Sequence, residues 1–313
     1  MVHLERDPIP ILYVLSNGRS SSTLLDRLLG SHPSMFALGE VQALPHELRE
    51  HRDPCDCGAP IDSCSFWGPF AGSKDLEELA HFRESNRSSR VIRPRHLLDR
   101  IHGAPRGERA REAERFARSN ARILRSIWQR ANEHRAEENP GEPIRWLVDA
   151  SGDPYRLEWL KRDPEFDVRL VHLYKQPGSF VHSERRREGG YGLLGTLRQA
   201  LRWRVENGLM QHLFRRFPAE RRTLICYDRL VTEPVSMLER IAAICDLDAS
   251  CFSTDAFRAP QHGVASSAMH WRSSGIQLDD SWRSELPIGY RLAASALCGG
   301  LAKRLNKRAR RVA

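Results

Sequence analysis

The sequence predicts an α/β protein: a P-loop-like parallel sheet of about five strands, helices on both faces, and a helical insertion. Three observations carry this. Short apolar runs rich in branched residues occur at 11–15, 144–148, 168–174 and 222–226, as in strands buried on both faces. Each run leads through a polar turn into apolar residues at helical spacing. Between the first strands and the later ones lies a charged stretch, 41–143, in which Phe116, Ile123, Leu124, Ile127, Trp128 and Ala131 form one helical stripe.

The chain has 313 residues, 40% hydrophobic and 28% charged, which suits a soluble globular protein. No apolar run approaches membrane-spanning length. No basic segment followed by an apolar core precedes the first strand, so the expected location is cytoplasmic. The net charge of +9 raises nucleic acid as a partner, but no basic patch interleaved with aromatics and no nucleic-acid fold signature accompanies it. A polyanionic small ligand is the expected partner instead. Seven cysteines, an odd number, do not suggest a disulfide framework.

The first strand runs into Ser16-Asn17-Gly18-Arg19-Ser20-Ser21-Ser22-Thr23, and Leu24, Leu25, Leu28 and Leu29 follow at helical spacing. A strand, a hydroxyl-rich turn and a helix aim backbone N–H groups and the positive helix end at one point, where an anion can sit. Arg19 adds forked donors; Ser20, Ser22 and Thr23 add hydroxyls. An ATP or GTP loop would place its first glycine where Tyr13 stands. A magnesium-dependent kinase is therefore the weaker alternative.

Gly18-Arg19-Ser20-Ser21-Ser22-Thr23-Leu24-Leu25, with Ser31-His32-Pro33 and Leu38-Gly39-Glu40, resembles the 5′-phosphosulfate loop of the sulfotransferases that use 3′-phosphoadenosine-5′-phosphosulfate (PAPS). The likeness is to bacterial members related to the Golgi and tyrosylprotein enzymes. Ser21 replaces their usual glycine. The strand at 168–174, continuing through Lys175 to Ser183, is similar to the family's 3′-phosphate strand. Lys175 stands at its first arginine, Gln176 and Gly178 replace an aspartate and a second arginine, and Ser183 is kept. Tyr227 holds the place of a tyrosine near the adenine. Arg272 and Gly275 match a later 3′-phosphate loop, where Ser266-Ser267 replace a Gly-Asn pair. Gly152 stands where many members carry a lysine directed at the sulfuryl group.

The resemblance implies a single sulfotransferase-like domain over 1–313. It implies transfer of a sulfuryl group from PAPS to an acceptor hydroxyl, releasing 3′,5′-ADP (PAP), with Glu40 as base, Arg19 stabilising charge, and no metal in the chemistry. The nucleotide contacts implied are Gly18, Arg19, Ser20, Ser21, Ser22, Thr23, Lys175, Ser183, Tyr227, Arg272 and Gly275. The alternative is a nucleotide-binding relative without transfer activity, given the departures at Ser21, Gly152, Gln176 and Gly178. The insertion 41–143 is expected on the acceptor side; the acceptor is a small-molecule, glycan, lipid or peptide hydroxyl. Residues 299–313 read as a frayed basic tail, at most in weak peripheral contact with an anionic membrane. Cys55, Cys57 and Cys64 lack an evident fourth ligand, with His46 or His51 the only nearby candidates, so no bound metal is expected there.

Overall fold

β1 (Ile9–Ser16) is the central strand of a five-stranded, all-parallel sheet. The computed structural model describes residues 7–50, 53–86, 108–138, 142–255, 261–265 and 276–311. The other strands are β2 (Met35–Ala37), β3 (Trp146–Asp149), β4 (Phe166–Tyr174) and β5 (Arg222–Cys226), in the order β2-β3-β1-β4-β5. Register is tight: Ile11 lies beside Leu147 on one side and Val168 on the other. Side chains alternate between two cores. Ile11, Tyr13 and Leu15 face one, Leu12 and Val14 the other, as a strand buried on both faces requires.

The helices divide accordingly. α1 (Ser22–Leu29) covers the Leu12/Val14 face through four fully buried leucines. The opposite face carries α2 (Leu44–Glu50), α3 (Lys74–Asn86) and α4 (Glu108–Glu138). Phe116, Ile123, Leu124, Ile127 and Ala131 are buried, with Trp128 packed beside them, so the stripe in the insertion is a layer of the sheet's own core. The same face takes α5 (Pro154–Arg162), α6 (Pro177–Arg187) and α7 (Leu193–Phe214). α8 (Tyr227–Thr232) and α9 (Pro234–Cys245) join α1 on the other. The short α10 (Trp282–Glu285) precedes the last helix, α11 (Ile288–Arg311).

The expected fray at 299–313 is corrected here: the chain is helical to Arg311. Ala302, Leu305 and Ala309 recur at helical spacing beneath the basic residues and are buried. Arg229 and Arg240 donate to the Ala309 carbonyl, and Arg308 reaches Gln211 at 2.8 Å. Charge density hid an amphipathic stripe. Among the described residues, no helix is long and apolar enough to cross a membrane.

Candidate functional site

Parallel strands deliver their C-terminal ends to one edge of the sheet, and the turn after the central strand is where a ligand meets most of them. In that turn Arg19 and Ser21 have φ of 67° and 65°. α1 starts with no side-chain cap, so its first N–H groups remain available to an anion. Ser22 and Thr23, its first residues, are half-buried; Gly18 and Arg19 are exposed. Ser20 is fully buried and its Oγ has no hydrogen-bond partner, a polar atom suited to an oxygen of a bound anion.

The left-handed backbone at Ser21 explains why a glycine suits this position in similar sequences. A side chain there costs on the order of 1–2 kcal/mol. Ser21→Gly is expected to raise stability by about 1 kcal/mol, read as a higher denaturant midpoint at unchanged slope. No change would mean that the serine hydroxyl compensates.

The residues expected to hold a 3′-phosphate lie beside this turn. Arg19 Nε donates to Ser183 Oγ at 3.4 Å, joining the end of β1 to α6. Lys175, at the end of β4, is 5% exposed and sits 4.5 Å from the centroid of the Tyr227 ring. Trp203 holds its carbonyl at 2.9 Å. Burial pulls the Lys175 amine below its ordinary pKa, with Arg19 and Arg186 adding in the same direction and Asp279 and Asp228 opposing. A bound anion would relieve that strain. Tyr227 accepts the Asp279 N–H at 3.3 Å, and burial raises its phenol.

Two departures now have causes. Gln176 Nε2 donates to Asn306 of α11 at 2.8 Å, where the Tyr174 hydroxyl also binds. A Cβ on Gly178 would lie 2.4 Å from the Trp282 ring, so α10 leaves no room for a side chain there. Arg272, Gly275 and Ser266-Ser267 lie outside the described residues.

Glu40 follows β2, two strand spacings (about 9–10 Å) across the sheet from β1. It is half-buried and precedes the short helical turn Val41–Ala43. Its N–H binds Val264 O at 2.9 Å, and Val264 N binds Leu38 O at 2.9 Å. Gly39 between them has φ +66°, and a Cβ would strike the Val264 backbone; only glycine fits this approach. Gln42 fixes the neighbouring turn through Ser151 Oγ (3.2 Å) and Ser151 O (2.8 Å).

That turn contains Gly152, at φ +71°, with Ser16 O only 2.9 Å from where a Cβ would stand. A side chain at this position would be strained. Asp149, fully buried, accepts from Arg156 at 2.7 Å and from Ser151 N at 3.0 Å. Sequence reasoning missed the cation that faces this turn. Arg202 of α7 lines a small cleft with Ser16, Asn17, Gly18 and Gly152, held by Glu206 at 2.9 Å and Glu184 at 3.3 Å. The Arg202–Glu206 spacing was its one local signal.

Beneath the cleft, Asn17 contacts Glu206, and Asn207 donates to Asn17 Oδ1 at 2.6 Å. Asn207 and Gln211 also hold His172, at 3.3 and 2.8 Å. Burial lowers His172 to about 4, so it is a neutral strut under the turn.

The expectation that Cys55, Cys57 and Cys64 lack a fourth ligand is corrected. The fold brings a fourth candidate to them, His262, with Nδ1 3.2 Å from Cys64 Sγ. His46 instead pairs with Glu50 at 3.6 Å; His51 lies outside the described residues.

No family model matches the sequence, and no curated protein matches it. Among solved structures, the sulfotransferase domain of the Synechococcus PCC 7002 olefin synthase is similar at a TM-score of 0.53 and 22% identity, over 95% of this chain and 96% of that one. The sulfotransferase domain from the curacin biosynthetic pathway is similar at 0.53 and 18%, over 95% and 98%.

Proposed function

We propose that this chain, which has the fold of sulfotransferase domains, transfers a sulfuryl group from PAPS to an acceptor hydroxyl and releases PAP. The observation that carries the reading is the meeting of Arg19 with Ser183, beside buried Lys175 and Tyr227, at the ends of adjacent strands β1, β4 and β5. Two anion-binding halves stand one strand apart, as a nucleotide with phosphates at both ends of its ribose requires.

Arg19, the N-terminus of α1 and Ser20, Ser22 and Thr23 bind the phosphosulfate. Lys175 and Ser183 bind the 3′-phosphate, as the resemblance also implies for Arg272 and Gly275, and Tyr227 lies by the adenine. The acceptor oxygen bonds to sulfur, its proton passes to Glu40, and the sulfur–oxygen bond to the 5′-phosphate breaks with its electron pair leaving on PAP. Arg202 stands in the cleft where similar sequences carry a lysine, its charge balanced by Glu206 and Glu184. The chemistry uses no metal. The acceptor side is the Glu40 edge, near the insertion. All seven cysteines are unpaired, which fits a reducing cytoplasmic setting.

The second reading, a PAP-binding protein without transfer, is favoured by Gly152, whose positive φ leaves no place for a cationic side chain. The kinase reading is disfavoured because Asp149, at the end of β3, is committed to Arg156 rather than open to magnesium.

Calorimetry with PAP, adenosine 5′-phosphosulfate and ATP–Mg tests the site. Lys175→Ala is expected to cost PAP about 1.5–3 kcal/mol, roughly 10–100-fold in affinity, and to leave adenosine 5′-phosphosulfate unaffected. Arg19→Ala should weaken both. Equal losses for both ligands in both variants would show that the two halves are misassigned.

A further inference from the structure

We propose that Cys55, Cys57, Cys64 and His262 bind one structural zinc ion, which braces the segment around Glu40 against residues 261–265.

The four ligand atoms lie within 4.8 Å of one another. Cys64 Sγ is 3.5 Å from Cys55 Sγ and 3.8 Å from Cys57 Sγ; His262 Nδ1 is 3.2 Å from Cys64 Sγ and 3.7 Å from Cys55 Sγ. A tetrahedral ion with Zn–S of about 2.3 Å and Zn–N of about 2.0 Å requires S···S of about 3.8 Å and S···N of about 3.5 Å. The observed separations scatter around these values. Three thiols and an imidazole are also the donor set that favours zinc over the hard cations.

The surroundings hold the ligands in place. Cys55 and Cys57 flank a tight turn in which Gly58, at φ +94°, donates to the Cys55 carbonyl at 2.8 Å. Asp56, between them, points the other way into a buried ion pair with Arg27 of α1. Cys64 O accepts from Gly68 N at 2.8 Å. The His262 ring stacks on Phe66 at 5.4 Å, meets the His134 ring edge-on at 4.7 Å, and its carbonyl accepts from the Trp67 indole. Cys55 and Cys64 are buried, so a bound ion would be shielded on most sides.

His262 is 198 residues from Cys64 in sequence, so the ion closes a long loop. Two residues beyond it, Val264 pairs with Leu38 and Glu40; Gln261 holds the Arg27 carbonyl at 3.0 Å, and Asp56 N reaches Gly263 O at 3.2 Å. The ion therefore stands at the junction of the cysteine loop, α1 and the Glu40 segment. The bracing of a catalytic base rests on the function proposed above; the metal site does not.

The test starts with elemental analysis of the full chain, purified without chelator and desalted after incubation with zinc. About one zinc per chain is expected. Cobalt exchanged into the site should show the intense thiolate-to-metal absorption and the visible bands of a tetrahedral centre with three thiolates and one imidazole. His262→Cys should keep the metal and His262→Ala should release it readily to a chelator. Stripping the zinc should lower the melting temperature, reversibly on re-addition, and speed amide exchange at residues 38–43 more than in β1 and β4. Less than about 0.2 zinc per chain with seven titratable thiols would overturn the site. So would full zinc retention in both Cys57→Ser and His262→Ala. Unchanged exchange at 38–43 in zinc-free protein would overturn the brace. Zinc bound without any PAP binding leaves the metal site standing and removes the proposed function; PAP binding without zinc does the reverse.

Discussion

Glu40→Gln is expected to slow sulfuryl transfer by about 10²–10⁴-fold while leaving PAP affinity unchanged. The substitution preserves shape and retains the backbone link through which Glu40 N binds Val264 O. What disappears is the ability to take the acceptor proton as its oxygen bonds to sulfur. Single-turnover transfer to an acceptor panel measures the loss, and calorimetry with PAP measures the control. Falls in both would mark Glu40 as a structural residue of the β2 edge. Turnover surviving intact would assign the base elsewhere.

Arg156→Met should cost about 3–5 kcal/mol of stability. Its guanidinium is the partner of Asp149, which is fully buried at the end of β3, and it also binds Asn120 Oδ1 of α4 at 2.7 Å. Removing the cation leaves a buried carboxylate facing the neutral Ser151 N–H in place of a charge. Asp149→Leu combined with Arg156→Met should recover part of the loss, because no charge is then left buried. A denaturant titration of the two variants and wild type gives the answer. A single variant within about 1 kcal/mol of wild type would show that water reaches this turn.

The strands and the turn after β1 were legible because each is local: an apolar run with its polar end follows from pattern alone. Lys175, Ser183 and Tyr227 were marked only by the family resemblance, and their approach to that turn is long-range and belongs to the fold. What stayed hidden depends on distant partners. Gln176 reads as a defect until Asn306 is brought against it from α11, and Gly178 until Trp282 is. His262 could not be joined to the cysteines by spacing, since the fold alone brings them together. Gly152 looked like a deleted side chain, whereas its positive φ and the nearby Ser16 carbonyl show a backbone in which a side chain would be strained. At the C-terminal end, arginines and lysines outweighed the small residues Ala302 and Ala309 that seat the helix.

The central position of β1 also governs how the molecule is made. Ile11 pairs with Leu147 and Val168, so β1 has no partner on either edge until the chain has grown more than a hundred residues past it. At about 5–20 residues per second, that wait lasts on the order of 10–30 s. During it, α1 can cover one face of the nascent strand, but both hydrogen-bonding edges stay open. Loop closure across such separations is slow, and an apolar strand with free edges invites intermolecular pairing. Yield in the cell should therefore depend on chaperone capacity and growth temperature more strongly than the stability of the finished protein suggests.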